Sequence, residues 1–177
     1  KVLHGVNICE TDCEIAFFGG SFTGIDRKLM IDLLDIAQGY VNSGAVSGIR
    51  MSTRPDYIND EIISILKKYT VSAVEIGIQS FSDKVLMASK RGHSSQCSEN
   101  AITSLCKEGF SVVGQMMVGL PMSTAEDEVM TAKKICELGA TGSRIYPTVV
   151  FRDTELYDMT VRGQYSPLSV EEAARRS

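Results

Sequence analysis

Gly19-Gly20-Ser21 is the segment of this sequence best suited to hold a ligand through its backbone. Adjacent glycines permit a tight turn and close approach to the main chain, so a ligand amino group can donate to the carbonyls exposed there. The competing reading is a strand-to-helix turn that binds nothing. The segment is neither Gly-x-Gly-x-x-Gly nor a loop ending in Gly-Lys-Ser/Thr, which disfavours a dinucleotide or a nucleoside triphosphate. Four further segments stand out at comparable places: Thr53-Arg54-Pro55-Asp56, Gln79-Ser80, Gly119-Leu120-Pro121 and Tyr146-Pro147-Thr148.

Short apolar runs alternate with amphipathic stretches around these segments. The runs at 14–18, 48–52, 73–78, 111–118 and 143–149 read as strands. Leu29/Met30, Leu33/Leu34, Ile36/Ala37 and Tyr40/Val41 recur at helical spacing, which predicts a helix over 26–41. Asn59 or Asp60 caps a helix to residue 68, and Ser82 caps a short one carrying Val85 and Leu86. A further helix carries Ala101, Ile102, Leu105 and Cys106 and stops at Gly109. Ser123 with Glu126 reads as a capping box for a helix to Leu138, a helix is expected near 155–162, and Ser169 with Glu172 reads as a second capping box.

Such alternation gives a parallel sheet with right-handed crossovers. The near-continuous apolar strands suggest that both faces are covered. The expected fold is α/β, one domain over 1–177. Five to six β/α units fit an open doubly wound sheet or a partial (β/α) TIM-like barrel, but not a closed eight-fold barrel. In either, ligands bind at the C-terminal ends of the strands. All five marked segments fall at that rim, and their convergence is the main argument for a site.

The chain has 177 residues, 44% hydrophobic, enough for one real core. A net charge of −4 gives no bulk argument for nucleic-acid binding. No run of 18 apolar residues exists, so no membrane-spanning helix is expected. Lys1-Val2-Leu3-His4-Gly5 lacks a signal-peptide layout. Five cysteines, an odd number, read as reduced thiols of a cytoplasmic protein.

The motifs, taken in order, resemble the radical S-adenosylmethionine (SAM) superfamily, in the group related to the Elongator catalytic subunit. They are Phe-Phe-Gly-Gly-Ser-Phe-Thr-Gly at 17–24, Ile-Arg-Met-Ser-Thr-Arg-Pro-Asp-Tyr at 49–57, Glu-Ile-Gly-Ile-Gln-Ser at 75–80 and Arg91-Gly92-His93. Residues 115–121, 144–148, Thr154-Glu155-Leu156 and Gly163-x-Tyr165-x-Pro167-Leu168-Ser169 complete the set. Oxygen-independent coproporphyrinogen III oxidases are more distant relatives. The resemblance implies that Gly19, Gly20 and Ser21 hold the SAM amino group, although Ser21 stands where many members carry an acid. It implies that Arg91 pairs with the SAM carboxylate, which suits a planar fork, and that Gln79 lies near the ribose. Ser52 and Gln115 stand where relatives carry acids, the latter a ribose contact. Met117 and the segment from Tyr146 to Thr148 would border the adenine. Each residue has a plainer reading. Arg91 beside Lys90 suits a solvated loop, Gln79 a helix cap, Met116-Met117 core packing, His93 a loop, and Arg54-Pro55-Asp56 a turn with a local ion pair.

In this superfamily a [4Fe–4S] cluster is held by Cys-x3-Cys-x2-Cys. Cys9-x3-Cys13 lacks the third thiol, because position 16 is Ala16. Cys97, Cys106 and Cys136 read as packing residues on helices. The expectation is therefore the C-terminal part of such a core, without its first strand and cluster loop, the cluster ligands lying upstream; the full-length enzyme would cleave SAM reductively and abstract hydrogen from its substrate. The alternatives are a non-catalytic SAM- or nucleotide-binding α/β module and another parallel α/β metabolic enzyme. Its partners would be SAM and an unidentified substrate, tRNA or a small molecule. Self-association through the exposed sheet edge is also expected.

Overall fold

A computed structural model describes residues 13–177; Cys9 lies outside them. Five strands, β1 (Glu14–Phe17), β2 (Gly48–Thr53), β3 (Val71–Gln79), β4 (Val112–Val118) and β5 (Gly142–Pro147), form one parallel sheet in chain order. Seven helices intervene: α1 (Arg27–Asn42), α2 (Asp60–Leu66), α3 (Asp83–Ala88), α4 (Ser95–Lys107), α5 (Ala125–Glu137), α6 (Glu155–Val161) and α7 (Val170–Arg176). The arc of β/α units agrees with the partial barrel expected from the sequence.

The strands are not apolar on both faces. Ile49, Met51, Val74, Ile76, Ile78, Val112, Met116 and Val118 form the core with Met30 and Leu34 of α1, Ile62 and Leu66 of α2, Ile102 and Leu105 of α4, and Ile135 of α5. The alternate residues, among them Arg50, Ser52, Glu75, Gln115, Met117, Arg144 and Tyr146, point the other way, because successive side chains of a strand take opposite faces. Registers pairing Ser52 with Glu75, Gly77 with Gln115, Gln115 with Arg144 and Met117 with Tyr146 align these residues across the sheet. Small polar and charged residues interrupt each apolar run at period two, and the expectation of two covered faces overlooked that interval.

Local chemistry sets the helix starts. The Asp26 carboxylate caps α1 at Leu29 N (3.0 Å), and Asn59 caps α2 at Ile62 N (2.9 Å). The α5 capping box lies one residue later than Ser123 and Glu126: Thr124 Oγ1 accepts from Asp127 N (3.2 Å), and Asp127 Oδ2 accepts from Thr124 N (3.0 Å). Ser123 is drawn away because its hydroxyl donates to Glu128 (3.0 Å). Ser169 does cap α7 at Glu172 N, but the Glu172 carboxylate turns to Arg175 and closes no second box. Cys106 packs against the core as expected, whereas Cys136 is exposed on the outer side of α5.

The turn after β4 is clamped by distant residues. Gly119 has φ +75°, its N–H donates to buried Glu128 (2.7 Å), and its carbonyl accepts from the Tyr165 hydroxyl (2.6 Å). Arg176 Nε donates to the other Glu128 oxygen (2.8 Å). A Cβ at Gly119 would lie 2.8 Å from Leu168 Cδ1. Gly119→Ala should therefore destabilise the chain by about 1–2 kcal/mol, from the left-handed backbone and the crowding together. In urea denaturation, adding Leu168→Ala should not recover stability, because the backbone penalty remains.

Candidate functional site

The rim is assembled first from the loop after β1. Phe17 and Phe22 stack with ring centroids 4.3 Å apart, and Thr23 bonds Thr53 (2.6 Å) and the Tyr57 carbonyl (3.0 Å). These contacts staple the 3-10 turn Phe22–Gly24 to the end of β2. Gly24 is required there, since a Cβ would come within 2.8 Å of the Tyr57 ring. Gly19, at φ +98°, and Gly20 are left exposed, with open space where their side chains would be. The loop thus presents bare backbone on an anchored base.

A second group gathers over the end of β3. Gln79 is buried and holds φ +68°, a left-handed conformation costing a non-glycine residue of order 1 kcal/mol. Its position follows an irregularity between Gly77 and Gln79 in the pairing with β4. Its amide folds back over Gly77: a Cβ there would meet Gln79 Nε2 at 2.9 Å and Arg91 Nη2 at 3.8 Å. Gln79 and Arg91 are therefore neighbours, and Gln79 caps no helix.

Arg54 grips Asp56 with two parallel bonds, Nε to Oδ1 (2.9 Å) and Nη2 to Oδ2 (2.7 Å), and lies 5.6 Å from the Tyr57 ring centroid. The hydrogen bond to Asp56 raises the Arg54 pKa; burial opposes ionisation of Asp56, but Arg54 outweighs it and holds that carboxyl low. Arg91 shares no such pairing. Burial, then the neighbouring Arg54 charge, depresses its pKa, and its buried Nε has no hydrogen-bond partner among the described residues. His93 bonds the Ile78 carbonyl through Nε2 (3.3 Å), and burial pushes its pKa down, as Arg91 and Arg54 also do. Two guanidiniums, one carboxylate and a neutral imidazole leave this end of the rim with an excess positive charge, an environment that attracts an anion.

On the polar face, Glu75 is fully buried and joins four strands. It accepts from Arg50 (3.2 Å), Gln115 (2.7 Å) and Arg144 Nη2 (3.0 Å), with Arg144 Nε a further 2.9 Å ion-pair contact, and Arg50 in turn reaches Glu14 (3.0 Å). The charge of Glu75 raises the Arg144 pKa. The residue roles inferred from sequence had assigned nothing to Arg50, Glu75 or Arg144. Their signal was present as lone charges set mid-strand at alternate positions.

Beside this face, a cleft of about 250 Å³ is lined by Ser89, Arg91, Met117, Leu120, Thr148 and Leu156, among others. Ser89 Oγ and Arg91 Nε are its two buried polar atoms without partners. Ser52, Gln115 and Tyr146 share the polar face with Met117, but only Met117 also lines the cleft; the aromatic ring of Tyr146 stays on the open sheet. A carboxylate can meet Arg91, an ammonium the bare backbone at Gly19 and Gly20, and an apolar ring the methionine-lined cleft. Those donors and surfaces fit SAM. Among the described residues no group of three His, Cys, Asp or Glu side chains could hold a metal ion, so no cluster ligand is assigned to them.

Residues 9–135 match the model of the Radical SAM superfamily. A tRNA uridine(34) acetyltransferase of Methanocaldococcus infernus is 35% identical over 126 residues, which is 70% of this chain and 24% of that protein. The archaeal Methanocaldococcus infernus Elp3, lacking its N-terminal residues 1–46, superposes with a TM-score of 0.79 at 28% identity, over 90% of this chain and 42% of that one. Escherichia coli coproporphyrinogen III oxidase (HemN), a radical SAM enzyme, superposes at 0.68 with 16% identity, over 91% of this chain and 37% of that one. This chain thus spans less than half the length of these proteins.

The depressed His93 pKa fixes the sign of one pH effect. A histidine whose folded pKa lies below its unfolded value of about 6.5 stabilises the fold fully above that pH, and loses this contribution as pH falls toward the folded pKa. Stability should therefore decline as pH falls below about 6.5, and His93→Gln should flatten the decline. Urea midpoints between pH 7.5 and 5 measure this; an unchanged slope in the variant would assign the decline to other groups.

Proposed function

The chain belongs to the radical SAM superfamily, and on that premise we propose that it forms the SAM-binding part of a radical SAM enzyme. The observation that carries the reading is Arg91: a half-buried guanidinium whose Nε has no hydrogen-bond partner among the described residues, set on a methionine-lined cleft at a rim with excess positive charge. Its fork holds the SAM carboxylate. Gly19, Gly20 and Ser21 receive the amino group, Gln79 and Gln115 lie toward the ribose, and Met117 with the strand end after Tyr146 borders the adenine. Ser52, small and uncharged, leaves room at the end of β2. When bound, SAM and a [4Fe–4S] cluster supply reductive SAM cleavage and hydrogen-atom abstraction. The protein's part is to bind, orient and shield.

For the full-length protein we favour a tRNA uridine as substrate, since the 35% identical relative is a tRNA uridine(34) acetyltransferase. A tetrapyrrole is the second candidate; the coproporphyrinogen oxidase likeness that suggests it speaks to fold alone. The net charge of −4 places little of an RNA footprint on this segment. Cys97, Cys106 and Cys136 form no disulfide, in keeping with a cytoplasmic enzyme, and no helix of the described residues is long and apolar enough to cross a membrane. The β1 edge of the sheet, where a preceding first strand would pair, is where self-association would occur.

Arg91→Ala in the full-length, cluster-loaded protein should weaken SAM binding by about 1.5–3 kcal/mol, the scale of a hydrogen bond to a charged group. Arg91→Lys should recover little of it, because a point charge cannot reproduce the fork. Calorimetry reads both, and unchanged affinity in the alanine variant would discard the role.

A further inference from the structure

The carboxylate of Glu75 accepts three hydrogen bonds and makes one further close ion pair. Oε1 accepts from Arg50 Nη1 and Arg144 Nη2, Oε2 accepts from Gln115 Nε2, and Arg144 Nε lies 2.9 Å from Oε2 as an ion pair. An ionised carboxylate donates nothing, so the Gln115 amide can face it only with its NH2 group. The amide is thereby locked: Nε2 is spent on Glu75 at 2.7 Å. Oε1 has no hydrogen-bond partner among the described residues. Gly77, the register neighbour of Gln115 on β3, has the Gln79 amide and the Arg91 guanidinium over it, so Gln115 shares this face with both.

We propose that Glu75 is a positioning residue that makes Gln115 an obligate hydrogen-bond acceptor toward a hydroxyl of the ligand. On the reading above, on which this rests, that hydroxyl belongs to the ribose of SAM. The chemistry selects the group: a ligand carboxylate or phosphate oxygen would be repelled by Oε1 and is drawn to Arg91 instead, whereas a hydroxyl can donate. The same pairing accounts for an amide at position 115, where the resemblance implies an acid. A carboxylate at position 115 would face Glu75 at hydrogen-bond distance with no proton between them, and like charges so placed repel. In this chain the acid stands on the adjacent strand, paired with two arginines, and it works through the amide.

The test compares SAM with its 2′,3′-dideoxyribose analogue, by calorimetry on the full-length, cluster-loaded protein. The parent should prefer SAM by about 10-fold, the worth of one good hydrogen bond. Gln115→Leu should lower the ratio the most, to whatever Gln79 alone sustains. Glu75→Gln should lower it to about 3-fold or less, since its uncharged amide lets Gln115 turn either way. The exchange Glu75→Gln with Gln115→Glu should restore about 10-fold, because it rebuilds one amide, one carboxylate and a fixed acceptor. A merely structural Glu75 would change both affinities together and leave the ratio alone. An unchanged ratio in Glu75→Gln, or no restoration in the exchange, overturns the proposal. If Glu75→Gln does not fold, the exchange and Gln115→Leu still decide. If Arg91→Ala leaves SAM affinity intact, the SAM site itself is misplaced and this inference falls with it. A lost Arg91 effect is thus distinguishable from an unmoved ribose preference.

Discussion

A single buried carboxylate sets the terms for the polar half of this sheet. Glu75 is out of reach of water, and a charge so placed is tolerable only when paired and fully hydrogen-bonded. Meeting that condition recruits Arg50 from β2, Gln115 from β4 and Arg144 from β5, and through Arg50 it recruits Glu14 from β1. Packed aliphatic side chains would hold the strands at least as well. A charged network in their place fixes orientation: Glu14, Arg50, Glu75, Gln115 and Arg144 are each held by a partner on another strand.

The rim follows a related logic with the opposite outcome. Asp56 is consumed by Arg54, which leaves Arg91 the cation without an anion. The loops carrying these groups are tied to the core by contacts that bind no ligand, such as Thr23 on Thr53, the Tyr57 ring on Gly24 and Gly92 beneath Arg54. The left-handed backbone of Gln79 belongs here too. Strain of that kind persists only where the surroundings over-determine it, and Gln79 sits between a strand irregularity and the Arg91 guanidinium.

Much of this was legible in the sequence. Hydrophobic period and turn residues give all five strands and all seven helices, because those signals are local. The rim segments were legible for the same reason, since glycine, proline and lone polar residues mark strand ends. The α5 cap was displaced by one residue because Ser123 and Thr124 are equally good caps. Only the tertiary demand of Glu128 for the Ser123 hydroxyl decides between them. The polar face was harder to see. Arg50, Glu75 and Arg144 lie 25 and 69 residues apart, and pairing across a parallel sheet depends on registers that no local pattern encodes. Gln115 was marked by resemblance, but the orientation of its amide is a property of its neighbour.

In β3 the odd and even residues have separate employers. Ala73, Glu75 and Gly77 serve the polar face, and Val74, Ile76 and Ile78 serve the core. Substitution can therefore edit one set while the other keeps its pattern, so a change on the polar face need not disturb the packing of the core. A one-residue insertion or deletion has no such freedom, for it trades the two sets wholesale and drives a carboxylate among isoleucines. Length, more than composition, is the property of this strand that descent must conserve.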